Sequence, residues 1–119
     1  YLSFFGNSNI LTIDDSSFVR NLLKNVLTQK GYNVYAASNV EDGLNILNTH
    51  KVQLILLDLI MPGVDGINFL EIIKEDPNYF DIPIIVVSGD SSRDNYARVL
   101  KNGASDFIKK PFIIEEYSR

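Results

Sequence analysis

The runs "VQLILL" (52–57) and "PIIVV" (83–87) constrain the fold more than any other feature of the chain. Each is almost continuously aliphatic, whereas a strand with one face in water alternates apolar and polar residues. A strand apolar on both sides must be covered on both sides. Shorter runs, "NILTI" (9–13), "NVYAA" (33–37) and "DFI" (106–108), complete a set of five strand candidates.

Stretches of helical period lie between them. Val19, Leu22, Leu23, Val26 and Leu27 fall on one face of a helix, with Asp15 or Ser16 placed to cap its start and Gly31 its end. Val40, Leu44 and Leu47 mark a second helix, and Phe69, Leu70 and Ile73 a third after "PGVDG". Tyr96, Val99 and Leu100 mark a fourth that stops at Gly103, and the segment after Pro111 can begin a fifth. Repeated strand–helix alternation predicts an α/β domain with a five-stranded parallel sheet flanked by helices and joined by right-handed crossovers. Residues 9–119 are read as this one domain. The first eight residues, "YLSFFGNS", fit no element and read as a tail or linker remnant.

In such a sheet the residues just past each strand gather on one edge. The first strand delivers Asp14 and Asp15, the third Asp58, the fourth Ser88 and the fifth Lys110. Periodicity does not fix the strand order. In the flavodoxin-like order 2-1-3-4-5, strands one and three adjoin, and the acids, the hydroxyl and the ammonium share a crevice at the switch point. Carboxylates forced together disfavour one another's charge unless a cation sits among them. A hard divalent ion such as Mg²⁺ suits oxygen ligands of this kind. Mg²⁺ and a lysine around a reactive carboxylate make a phosphoryl-transfer site.

Each of these residues also has an ordinary reading. Paired acids after a strand cap helices, an Asp before "MPG" starts a turn, and a Ser before Gly or a Lys before Pro belongs to a surface loop. Phe107 reads equally as core. The glycines and Pro62 of "MPGVDG" answer to turn geometry. What outweighs the separate readings is the coincidence of four such residues at strand ends.

Composition removes several other chemistries. The chain has 119 residues, 45% of them apolar and 22% charged, and no cysteine. Disulfides, thiolate zinc sites and cysteine nucleophiles are therefore excluded. The net charge of −4 argues against direct nucleic-acid binding and against an anionic membrane surface. No run approaches the ~18 apolar residues of a membrane span. The N-terminal residues lack the layout of a signal peptide, so a cytoplasmic location is expected. His50 is the one histidine, at a predicted helix end, and gives triad hydrolysis little support. A phosphate-cradling glycine loop is absent as well.

The segments "LTIDDSSFVRNLL", "LILLDLIMPGVDGINFL", "IIVVSGD" and "GASDFIKKPF" resemble, in order, the landmarks of the receiver domain of two-component response regulators, of the chemotaxis-regulator kind. The resemblance implies a phosphorylation-activated switch. Asp58 matches the phospho-accepting aspartate. Asp15 matches the acid that binds Mg²⁺ directly, Asp14 the acid acting through metal-bound water, and Ile60 the position whose backbone carbonyl faces the metal. Ser88 matches the switch hydroxyl, Lys110 the family's lysine before a cis proline (here Pro111), and Phe107 the aromatic switch position. The implied donor is a sensor histidine kinase or a histidine phosphotransfer protein. An unidentified effector lies downstream, and homodimerisation is compatible with the family.

Three local choices stand out. Phe107 replaces the frequent Tyr and has no hydroxyl to donate. Ile60 is apolar where some members carry a polar side chain, from which slower self-dephosphorylation is expected. Eight residues follow Pro111, so a short fifth helix is expected. Two rival readings use the same residues. An aspartate-nucleophile phosphatase carries a second acid two residues after the nucleophile, and here that place is Ile60. A degenerate receiver serving as a constitutive binding module would have lost an acid or the lysine, and this chain keeps both.

Overall fold

The structure, a computed structural model, describes residues 8–58, 60–61, 64–88 and 93–109. Strand β1 (Asn9–Ile13) leads into helix α1 (Ser17–Gln29), β2 (Asn33–Ala37), α2 (Val40–Thr49) and β3 (Leu54–Leu57). Two short strands follow, β4 (Ile60–Met61) and β5 (Val64–Asp65), and then α3 (Gly66–Glu75), β6 (Ile84–Ser88), α4 (Arg93–Lys101) and β7 (Asp106–Lys109). The main sheet has five parallel strands in the order β2-β1-β3-β6-β7. Counting only its own strands, that is 2-1-3-4-5. β4 and β5 pair antiparallel outside it. Pro111 and the expected fifth helix lie outside the described residues.

The aliphatic runs are unbroken because alternate residues serve two cores. Leu11, Ile13, Ile55, Leu57, Ile84 and Val86 point into one cluster, with Leu47 of α2, Phe69, Leu70 and Ile73 of α3, and Val99 of α4. Ile10, Leu54, Leu56, Ile85 and Val87 point to the other face, where Leu27 of α1 and Tyr32 cover them. Each fully buried aliphatic side chain stabilises the fold by about 1.5–3 kcal/mol relative to exposure. A polar residue at any of these central positions therefore damages one whole layer.

Local chemistry sets the boundaries. The Ser16 hydroxyl caps α1 by accepting from the Val19 amide at 3.3 Å. Asn39 caps α2 by accepting from the Asp42 amide at 2.8 Å. Gly31 and Gly103 follow α1 and α4 at φ 96° and 105°, a left-handed conformation that side chains resist. β3 starts two residues later than the run "VQLILL" suggests, since the Gln53 side chain accepts from the Asn9 amide. β6 starts after Pro83, which has no N–H to donate, and continues to Ser88. Leu100 is 37% exposed and does not share the inward face with Val99.

Candidate phosphoryl-transfer site

Backbone bonds carry the ladder one residue beyond the strands at the C-terminal edge. The Asp14 amide donates to the Ala37 carbonyl at 3.0 Å, and the Asp58 amide to the Ile13 carbonyl at 2.9 Å. The backbones of both aspartates are therefore fixed by the sheet, and their side chains stand at its C-terminal edge. Asp14 is 2% exposed and Asp58 4%, while Asp15 stands in solvent. Carboxylate oxygens of all three lie within 4.8 Å of one another.

Asp14 is tied further. Its Oδ1 accepts from the Ser16 amide at 2.9 Å, at the start of α1, where the helix dipole favours negative charge. Its carbonyl accepts from Arg20 Nη1 at 2.8 Å. Sequence reasoning missed Arg20. The available signal was its place on the first turns of the helix that the acids precede, which puts a guanidinium within reach of the strand end.

Ser88 ends β6 with 0% exposure and pairs in register with Lys109. Lys110 is next in sequence and lies outside the described residues. Phe107 pairs with Val86, which pairs with Leu57, the residue before Asp58. Its ring is partly buried against the cluster that holds α2, α3 and α4. The Ile60 backbone pairs with Asp65 in the β4–β5 hairpin, just past Asp58. His50 is not part of this edge. It ends α2, exposed, with its ring 4.3 Å from that of Tyr35.

Three acids clustered on oxygen-only chemistry fit a hard divalent cation, and the two buried ones cannot shed their repulsion into water. Fold and site together define an α/β domain whose chemistry lies at the switch point of a parallel sheet. The response regulator receiver domain family matches residues 10–118, and the chain belongs to that family of phosphorylation-activated switches. It is 36% identical over 108 residues to a probable transcriptional regulator, ycf29, of Cyanophora paradoxa, covering 91% of this chain and 51% of that protein. A Francisella response regulator receiver domain superposes with a TM-score of 0.81 at 30% identity, covering 92% of this chain and 89% of that one. The chemotaxis protein CheY4 of Vibrio cholerae shares the fold with a TM-score of 0.84 at 24% identity, each chain covered to 92%. The chain spans between 22% and 51% of the length of the curated relatives it matches. Among the described residues, no helix is long and apolar enough to cross a membrane.

Proposed function

We propose that Asp58 is the phosphoryl acceptor of this receiver domain. A carboxylate oxygen of Asp58 attacks the donor phosphorus in line, and the bond from phosphorus to the donor imidazole nitrogen breaks. The product is an aspartyl phosphate, and water later cleaves it to aspartate and inorganic phosphate. Asp15, Asp58 and the Ile60 carbonyl would hold Mg²⁺, with Asp14 acting on it indirectly through water, and the ion when bound would supply charge neutralisation at the transferring oxygens.

The chain's own residues do the positioning. Asp14, held by the Ser16 amide, keeps its charge directed at the cluster. Lys110 pairs with a phosphoryl oxygen, and the Ser88 hydroxyl donates to another. Phe107 moves into the space that Ser88 leaves, which alters the surface beside α4. The phosphoryl group shifts this equilibrium only by the difference between its contacts in the two states.

The observation that carries the reading is the convergence of three carboxylates from two adjacent strands. The protein acts as a regulatory domain that catalyses its own phosphorylation and dephosphorylation, without turnover of external esters. Its partners are a histidine kinase or phosphotransfer protein and a downstream effector. The reading includes a cytoplasmic location, where an ATP-charged donor is available. Incubation with a small acyl phosphate, with Mg²⁺ or with EDTA, tests it by intact mass. A phosphoryl adduct formed only with Mg²⁺, and absent from Asp58→Asn, is expected. An adduct on Asp58→Asn would overturn the assignment.

A further inference from the structure

Arg20 stands at the fourth position of α1, one turn from the cap at Ser16. A cation there opposes the helix dipole, which favours negative charge at this end. An ordinary surface arginine gains nothing from such a place. Here the guanidinium turns back past the cap, and its Nη1 donates to the Asp14 carbonyl at 2.8 Å. The helix steadies the residue that carries it, since the Arg20 amide donates to the Ser16 carbonyl at 3.0 Å. Asp14 is 2% exposed, so its carbonyl needs a donor from within the fold.

We propose that Arg20 is a positioning residue of the metal site: it fixes the peptide between Asp14 and Asp15 and so aims Asp15 at the cation. This rests on the Mg²⁺ site proposed above and adds a residue to it. The Asp14 amide is held by the Ala37 carbonyl at 3.0 Å. Beyond it the chain leaves the sheet, and the next peptide is a rigid plane whose tilt the sheet does not set. A bond to the carbonyl oxygen of that plane sets the tilt. It thereby sets the point from which the Asp15 side chain departs. Asp14 Oδ1, accepting from the Ser16 amide at 2.9 Å, closes the turn over Asp15 from the other side.

Asp15 depends on this more than its neighbours do. It is exposed, whereas Asp14 and Asp58 are buried and their amides are held by the sheet. Water offers an exposed carboxylate no fixed direction. Yet an oxygen of Asp15 lies within 4.8 Å of an oxygen of each of the other two acids. Two like charges disfavour that approach. A backbone oriented in advance leaves less to arrange when the cation arrives. The charge of Arg20 acts the other way, because a cation beside the site repels Mg²⁺. Arg20 is half-exposed, so water and salt screen its charge and this effect is the smaller. The two effects have opposite signs, which makes them separable.

The full 119-residue chain tests this with Arg20→Met, which removes donor and charge together, and with Arg20→Lys, which keeps both. The bond to the carbonyl is a single one, so an ammonium can replace it. Amide NMR in EDTA should show the Asp15 resonance displaced in Arg20→Met and close to its parent position in Arg20→Lys. A Mg²⁺ titration followed on the same amides should give a dissociation constant about tenfold weaker for Arg20→Met, and within about threefold of the parent for Arg20→Lys. An Arg20→Met chain that binds Mg²⁺ as tightly as the parent, or more tightly, would overturn the proposal and leave a charge effect alone. An Arg20→Lys chain as weak as Arg20→Met would overturn it too. In the parent, the Arg20 side-chain resonances should show slowed rotation of the guanidinium in EDTA and in Mg²⁺. Free rotation would overturn the proposal even where a variant fails to fold. A parent that binds no Mg²⁺ would overturn the metal site itself, whereas equal binding by parent and Arg20→Met would overturn only the role of Arg20.

Discussion

The Asp58 amide donates to the carbonyl of Ile13 at 2.9 Å, so a main-chain bond holds the acid after β3 beside the acids after β1. A backbone bond does not depend on the side chain that follows it. The proposed phospho-acceptor can therefore be altered without removing this backbone bond at the edge of the sheet, and loss of labelling there can be read as chemistry.

Asp58→Asn should fold with unchanged far-ultraviolet dichroism and accept no phosphoryl group. The amide is nearly isosteric with the carboxylate but has no anionic oxygen to attack phosphorus. Labelling with an acyl phosphate, followed by mass spectrometry, checks both halves. A labelled variant would place the acceptor elsewhere.

Charge repulsion in the cluster should be visible in stability. With carboxylate oxygens of Asp14, Asp15 and Asp58 within 4.8 Å of one another, removing one charge relieves repulsion of the order of 1 kcal/mol. Asp15→Asn should therefore be more stable than the parent in EDTA. Excess Mg²⁺ should reverse the ranking, because an ion at about 100 times its dissociation constant adds about 2.7 kcal/mol to a chain that binds it fully. Urea unfolding with and without Mg²⁺ measures both effects. A parent chain whose midpoint ignores Mg²⁺ would refute the metal reading.

Gly43 lies in the middle of α2, where alanine would normally gain about 1 kcal/mol of helix propensity. Here an added Cβ would stand 2.6 Å from Ile13 Cδ1 and 3.1 Å from its Cγ1. Ile13 is fully buried, so its side chain has little room to yield. Overpacking of about 1–3 kcal/mol exceeds the propensity gain. Gly43→Ala should lower stability by about 1 kcal/mol. Because Ile13 precedes Asp14, the variant should also weaken Mg²⁺ binding. Thermal unfolding and a Mg²⁺ titration provide the check.

The sheet was legible because two covered faces leave a mark on sequence: Ile55 and Leu56 are both apolar since they feed different cores. The acids were legible because a strand end is a place, and five places in a parallel sheet converge. Three features left weaker marks. The cap at Asn39 depends on one side chain turning back on its own helix. Arg20 reaches the Asp14 carbonyl through a long flexible stem that no period reports. Leu100 has the spacing of a core residue but is 37% exposed, whereas its neighbour Val99 is fully buried. Such details depend on the positions of neighbouring elements, which hydropathy does not encode.

Lys74 offers a test by pH. Its ammonium donates to the carbonyls of Ile82 at 2.9 Å and Phe80 at 3.2 Å, and so holds the connection from α3 to β6. Burial pushes its pKa below the usual 10.5, while Asp81 nearby pulls it partly back. Just below pH 10.5 the unfolded chain then binds more protons at this residue than the folded chain does. Its contribution to stability is lowest while both states are protonated, and it rises as the pH climbs through that interval. The neutral amine still has two N–H groups for the two carbonyls, so the connection survives deprotonation. Lys74→Met leaves both carbonyls without this donor and should cost about 1–3 kcal/mol. It also removes the titration. The gap between the urea midpoints of parent and variant should widen as the pH is raised toward 10.5. A gap that stays constant would mean that the ammonium is fully solvated where it sits, and a gap that narrows would reverse the sign of the effect.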